Sequence, residues 1–139
     1  KVQQLPEKQH RTKTTNRYFN YIYVRMGAHT LIHKRTEDDI WKNLFELPLV
    51  ETEKDLSEEE FLACPQFHAL FAEGEVRMVR TLLRGVKHVL SHRVIYTNFY
   101  EVTLPDNSSS FSSYQRVAVE DLGRYAVPRL IHAFLEKYV

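Results

Sequence analysis

Val86-Lys87-His88-Val89-Leu90-Ser91-His92-Arg93-Val94-Ile95-Tyr96-Thr97-Asn98-Phe99-Tyr100 is the stretch on which the fold turns. Two runs rich in β-branched and aromatic residues flank the short polar step Ser91-His92-Arg93, which is the pattern of two strands joined as a hairpin. Downstream, Pro105-Asp106-Asn107-Ser108-Ser109-Ser110 is a turn-prone polar loop and the segment expected to be most mobile. Beyond it Pro128 suits the first position of a helix, and Leu130, Ile131, Phe134, Leu135 and Tyr138 fall on one helical stripe. The spacing predicts a C-terminal helix that packs on the sheet.

Upstream of the hairpin, an acidic stretch runs from Glu51 to Glu60, a solvated face in which Ser57 with Glu60 three residues later has the form of a capping box opening a helix. Pro65 breaks that helix or restarts it through Gln66 to Ala72. Leu44 to Val50 is apolar but interrupted by Pro48, so it fits an edge strand or an extended loop and excludes a helix. Tyr18 to Met26, ended by Gly27, reads as a strand, and Thr30 to Arg35, after a turn-length gap, as its hairpin partner. Residues 1–16 carry Lys1, Lys8, Arg11 and Lys13 against one acid, Glu7, with few apolar side chains; they read as a basic linker or arm. The expected architecture is a single α+β domain over residues 17–139, a mixed or antiparallel sheet flanked by helices.

The bulk properties bound the problem without solving it. With 139 residues the chain is the size of one domain, and its net charge of +1 predicts no partner by itself. One cysteine, Cys64, excludes an internal disulfide and any thiolate cluster built from this chain alone. No apolar run approaches membrane-spanning length, and the N-terminus lacks the order of a signal peptide. A soluble, cytoplasmic protein is expected, with no membrane partner. A start at Lys1 instead of Met suggests a fragment or a processed form.

Charge is distributed unevenly. Between Glu75 and Glu101 no acid occurs, while Arg77, Arg80, Arg84, Lys87 and Arg93 all lie in that window with His88 and His92. Cations grouped around a turn suit phosphate contacts, because displaced counterions supply much of the affinity for nucleic acid. A solvated basic surface balancing the acidic run accounts for them as well. Ser91 and His92 sit where small polar groups project past a sheet and reach a base edge, although an ordinary turn explains them equally. His88 and His92 have the spacing of a helical zinc pair, but their neighbours favour extended structure, where that spacing does not converge. No metal site is expected. Catalytic signals are equally thin: there is no Gly-rich phosphate loop and no nucleophile elbow, and Glu58, Glu59 and Glu60 fan outward on a helix.

Four segments carry a resemblance. Trp41-Lys42-Asn43-Leu44-Phe45-Glu46-Leu47-Pro48 resembles the W-x-G-L-W-E-F-P segment of the C-terminal domain of the adenine DNA glycosylase MutY, with Asn43 in place of Gly and Phe45 in place of the second Trp. Leu90-Ser91-His92 is similar to that family's Phe-Ser-His motif, with Leu for Phe. Arg17 to Tyr21 looks like the entry to the domain, and Tyr125-Ala126-Val127-Pro128 like the approach to its terminal helix.

The resemblance implies a Nudix-like fold used for recognition in base-excision DNA repair. It would be joined to an N-terminal catalytic domain, absent here, that excises adenine mispaired with 8-oxoguanine and carries a 4Fe-4S cluster. The chain itself would hold no cofactor and no catalytic residue. Its partner would be double-stranded DNA containing 8-oxoguanine:adenine mispairs, in a bacterial cytoplasm. Ser91 would contact the lesion with His92 in support, and Arg77, Arg80, Arg84, Lys87, His88 and Arg93 are candidates for the DNA backbone. Two other functions compete. A Nudix pyrophosphatase needs the box G-x5-E-x7-R-E-U-x-E-E-x-G-U, which is not found; a protein-interaction module would use the aromatic strands and the acidic run.

Overall fold

The computed structural model describes residues 15–139. Its longest strands are β1 (Thr15–Arg25), β5 (Met78–Leu90) and β6 (Arg93–Thr103). With β4 (Leu49–Thr52) they form a sheet in the order β4-β1-β6-β5. A second sheet, in the order β3-β2-β7, is built from β2 (His29–Lys34), β3 (Phe45–Glu46) and β7 (Gln115–Ala118). Short helices α1 (Glu58–Ala63) and α2 (Pro65–His68) cover part of one face of the larger sheet, and α3 (Arg129–Tyr138) lies on the other, after a 3-10 turn at Val119–Arg124.

The β5–β6 hairpin forms as the sequence predicts, with Leu90 opposite Arg93 and Ser91-His92 as its two-residue turn. The expected pairing of the first two strands does not form. β1 and β2 share only the bridge between Met26 and His29, then diverge into different sheets. β1 instead pairs with β6 in parallel over its whole length, and with β4 antiparallel on its other edge at Tyr18–Tyr21. Its side chains explain why: Phe19, Tyr21 and Tyr23 enter the core on the α3 side, Ile22 and Val24 the core on the α1 side. A strand apolar on both faces belongs in the middle of a sheet covered on both sides.

The other elements follow the sequence with local shifts. Pro48 separates the edge strands β3 and β4 and carries the chain from one sheet to the other. Ser57 caps α1 in a full capping box with Glu60, and Pro65 restarts a helix that stops at His68, short of Ala72. Pro128 stands at the N-cap of α3, one position before the one expected. The serine loop is tied down by Glu75, whose carboxylate accepts hydrogen bonds from the hydroxyls of Ser108 at 2.5 Å and Ser110 at 2.8 Å. Those donors hold the Glu75 carboxyl at about 2. The linker expected over residues 1–16 lies outside the described residues except for Thr15 and Asn16, which begin β1.

Candidate nucleic-acid interface

The turn Ser91-His92 closes the long β5–β6 hairpin at one end of the larger sheet, and both residues are exposed. Neither the Ser91 hydroxyl nor the His92 ring has a hydrogen-bond partner among the described residues. The backbone, by contrast, is held: the Thr15 N–H donates to the His92 carbonyl at 3.0 Å. β1 therefore begins beside the turn. Leu90, the residue preceding Ser91, packs on the α3-side core and anchors the hairpin tip.

The basic window does not form one patch. β5 contains two bulges, between Thr81 and Leu83 and between Leu83 and Val86, the second holding Gly85 at φ +72 with its N–H on the Asn98 side chain. Each extra residue shifts the strand's alternation and re-aims the side chains beyond it. Arg80, opposite Glu101, lies roughly 30 Å from the turn at the rise of an extended strand. It is spent on that acid, with contacts of 2.7 and 2.6 Å, and Glu101 is itself buried and shared with Arg25. Arg84 donates to the Tyr100 hydroxyl and the Leu56 carbonyl and sits 3.6 Å from Asp55. Arg77 caps the Gly74 carbonyl at the far end of β5. Only Lys87, His88 and Arg93 stand near the turn. His88 packs edge-on against Trp41, with ring centroids 5.9 Å apart, while Lys87 and Arg93 are exposed and have no ion-pair partner among the described residues.

Beneath the turn a charge network fixes the loop that carries Trp41. Arg17 bridges Asp39 and Glu51 with four hydrogen bonds of 2.8–2.9 Å. Arg35 joins Asp39 to the buried Glu46, which also accepts the Tyr21 hydroxyl at 2.7 Å. The Arg17 fork holds the Asp39 carboxyl at about 2, and burial beside Glu46 pushes the Tyr21 hydroxyl well up. The His33 Nε2 atom lies 2.9 Å from Glu46 but is not aligned for a hydrogen bond. His33, Arg35, Glu46 and Tyr114 line a cleft of about 300 Å3. Trp41 and Asn43 take left-handed backbone angles, φ +59 and +74. At Asn43, where the MutY-like segment has Gly, this is a conformation that Asn tolerates better than most residues.

The profile of the NUDIX domain matches residues 20–137. The chain belongs to the NUDIX domain family. Solved structures agree on the fold. The C-terminal domain of mouse MUTYH, in its complex with human PCNA, superposes with a TM-score of 0.63 at 15% identity, covering 88% of this chain and 86% of that one. A MutT protein from Methanosarcina mazei Go1 gives 0.58 at 17% identity, over 89% and 93%. A MutT from a study of Aliivibrio salmonicida and Vibrio cholerae gives 0.59 at 15%, over 88% and 96%. No curated protein matches the sequence. In this NUDIX domain α1 has six residues, Glu60 is committed to the Ser57 cap, and among the described residues no three His, Cys, Asp or Glu side chains gather as a metal site. No helix among them is long and apolar enough to cross a membrane.

Sequence reasoning passed over the face of the larger sheet beside the turn. Tyr18 on β1 and Tyr96 on β6 are register partners whose rings stack at 5.6 Å, and neither hydroxyl has a hydrogen-bond partner among the described residues. Period-two alternation along β6 would have grouped Tyr96 with Asn98 and Tyr100. The pairing with Tyr18 required the parallel β1–β6 register, which no local pattern announces.

Proposed function

We propose that this domain recognises 8-oxoguanine in duplex DNA through the Ser91-His92 turn, as the reading module of an adenine DNA glycosylase whose excision chemistry lies in another domain. One observation carries the reading: a hydroxyl and an imidazole stand without hydrogen-bond partners among the described residues, at the tip of a long hairpin whose backbone is braced. The matching Ser-His motif and the likeness in fold to the C-terminal domain of MUTYH support it.

Oxidation converts N7 of guanine from an acceptor to an N–H donor and adds an oxygen at C8. A serine hydroxyl accepts from the first and donates to the second, whereas ordinary guanine offers it only the N7 acceptor. The difference is about one hydrogen bond, worth roughly 0.5–1.5 kcal/mol, or about two- to thirteenfold in affinity. Lys87 and Arg93 beside the turn would hold phosphates and contribute affinity without selectivity. Thr15, bonded to the turn's backbone, would place the upstream domain near the same duplex.

The test is binding of matched duplexes containing 8-oxoguanine:adenine or guanine:adenine, at fixed salt, by the chain and by Ser91→Ala. Preference for the lesion is expected to fall to near unity in the variant while binding to plain duplex stays within twofold. Unchanged preference removes Ser91 from the mechanism. The likeness to MutT proteins makes nucleotide hydrolysis the second function to measure. Magnesium-dependent turnover abolished by Glu58→Gln or Glu59→Gln would replace recognition by pyrophosphatase activity.

A further inference from the structure

On its α1 side the larger sheet changes character row by row. Ile22 and Tyr100 lie under α1, where Phe61 stacks on Tyr100 at 4.6 Å. The next row is polar and closed: the Asn98 amide donates to Asn20 and to Asp55, and Asn20 donates to the Val50 carbonyl and Thr52. Past it α1 and α2 no longer cover the sheet. The third row crosses all four strands as Thr52, Tyr18, Tyr96 and Lys87, and the last, Asn16, Val94 and Val89, runs into the turn. Val89 is 65% exposed, the largest exposure among the large apolar side chains described.

Three donors in the third row, two phenol hydroxyls and one ammonium, have no partner among the described residues. Adjacent strands space them by about 4.8 Å, so the line from Tyr18 to Lys87 spans about 10 Å. No carboxylate stands in the last two rows, and Asp55, beside the polar row, is engaged by Arg84 and Asn98. A row of donors without partners among the described residues, beside an exposed aliphatic strip and with no carboxylate in the row itself, has the chemistry to bind a chain of phosphodiesters and sugars: phosphates take the donors and deoxyribose packs on valine. Lys87 is four residues, about 13 Å of strand, from Ser91, a few nucleotide steps along the backbone.

We propose that the end of this sheet left uncovered by α1 and α2, the Tyr18–Tyr96–Lys87 row with Val89, is a second DNA contact that grips the sugar–phosphate backbone flanking the base presented to Ser91. It rests on the proposed reading at the turn and adds a distinct role. This surface sets how tightly the domain holds DNA, and the turn sets which base it prefers.

The experiment is an NMR titration of the whole chain with a duplex containing 8-oxoguanine and with its undamaged counterpart, together with affinities for Lys87→Glu, Val89→Glu and Tyr96→Phe. The two exposed glutamate variants are expected to keep the wild-type urea midpoint and to bind both duplexes about tenfold more weakly, leaving the ratio between them unchanged. Tyr96→Phe, which removes only a hydroxyl, is expected to lose about two- to threefold. Amide shifts at the turn with none at residues 87–89 or 96, or unaltered affinities in all three variants, overturn the platform while the turn reading stands, and direct the surface to a protein partner. Shifts on the sheet row identical for damaged and plain duplex, with a silent turn, support the platform and sink the reading at Ser91. No shift anywhere overturns both.

Discussion

Asn43 and Ser91 show what a single residue contributes at this site. Asn43 holds φ +74 in the loop that packs Trp41 against Phe19 and His88, so its backbone lies where glycine has no steric cost and a β-branched residue a large one. Asn43→Gly is expected to keep stability within about 1 kcal/mol of the parent, and Asn43→Val to lose about 1–2 kcal/mol, both read from urea midpoints. A loss in the glycine variant as large as in the valine variant would show that the Asn side chain, not its backbone angle, holds the loop. The substitution was visible in the sequence only as a departure from a related pattern; the left-handed angle makes it intelligible. At Ser91 the identity of the residue was legible and its freedom was not, because whether a hydroxyl is already bonded depends on neighbours that arrive from other strands.

Elements obey the same division between local and distant causes. The β5–β6 hairpin, the Ser57 cap and the α3 stripe follow from adjacent residues, and all were readable. The β1–β2 pairing failed because a turn-length gap predicts proximity, whereas partners are set by where each strand's apolar faces are buried. The apolar run Phe19 to Val24, interrupted only by Asn20, was the available sign of a central strand. The loop over β1 is fixed electrostatically. Asp39 is held at about 2, below its ordinary 3.8, chiefly by Arg17. A depressed carboxyl favours the folded state in its ionised form, so its contribution is complete above pH 4 and drains away as pH falls toward 2. Asp39→Asn is expected to cost about 1–2 kcal/mol at neutral pH, the ion pairs being partly screened, and to lose less stability than the parent between pH 4 and 2. Urea titrations at stepped pH measure both. Glu75 drains in the same window, so some slope must survive in the variant; an unaltered slope would mean Asp39 is not among the groups responsible.

For the whole molecule, the question is how many of the window's cations reach the same ligand. The sequence grouped Arg77, Arg80, Arg84, Lys87, His88 and Arg93 because no acid separates them, but a hairpin of this length and two bulges disperse them over both faces and both ends. Arg80 and Arg84 are committed to acids and hydroxyls of their own fold, leaving Lys87 and Arg93 beside the turn. Each phosphate neutralised contributes about −0.9 to the slope of log affinity against log salt. Lys87→Gln and Arg93→Gln are each expected to flatten that slope by about one unit, with weaker binding at low salt for every duplex. Arg80→Gln is expected to leave the slope where it was and to show itself in stability instead, since it strips a partner from buried Glu101. Equal flattening by all three would mean that DNA runs the length of the hairpin and that the Arg80–Glu101 pair opens to meet it.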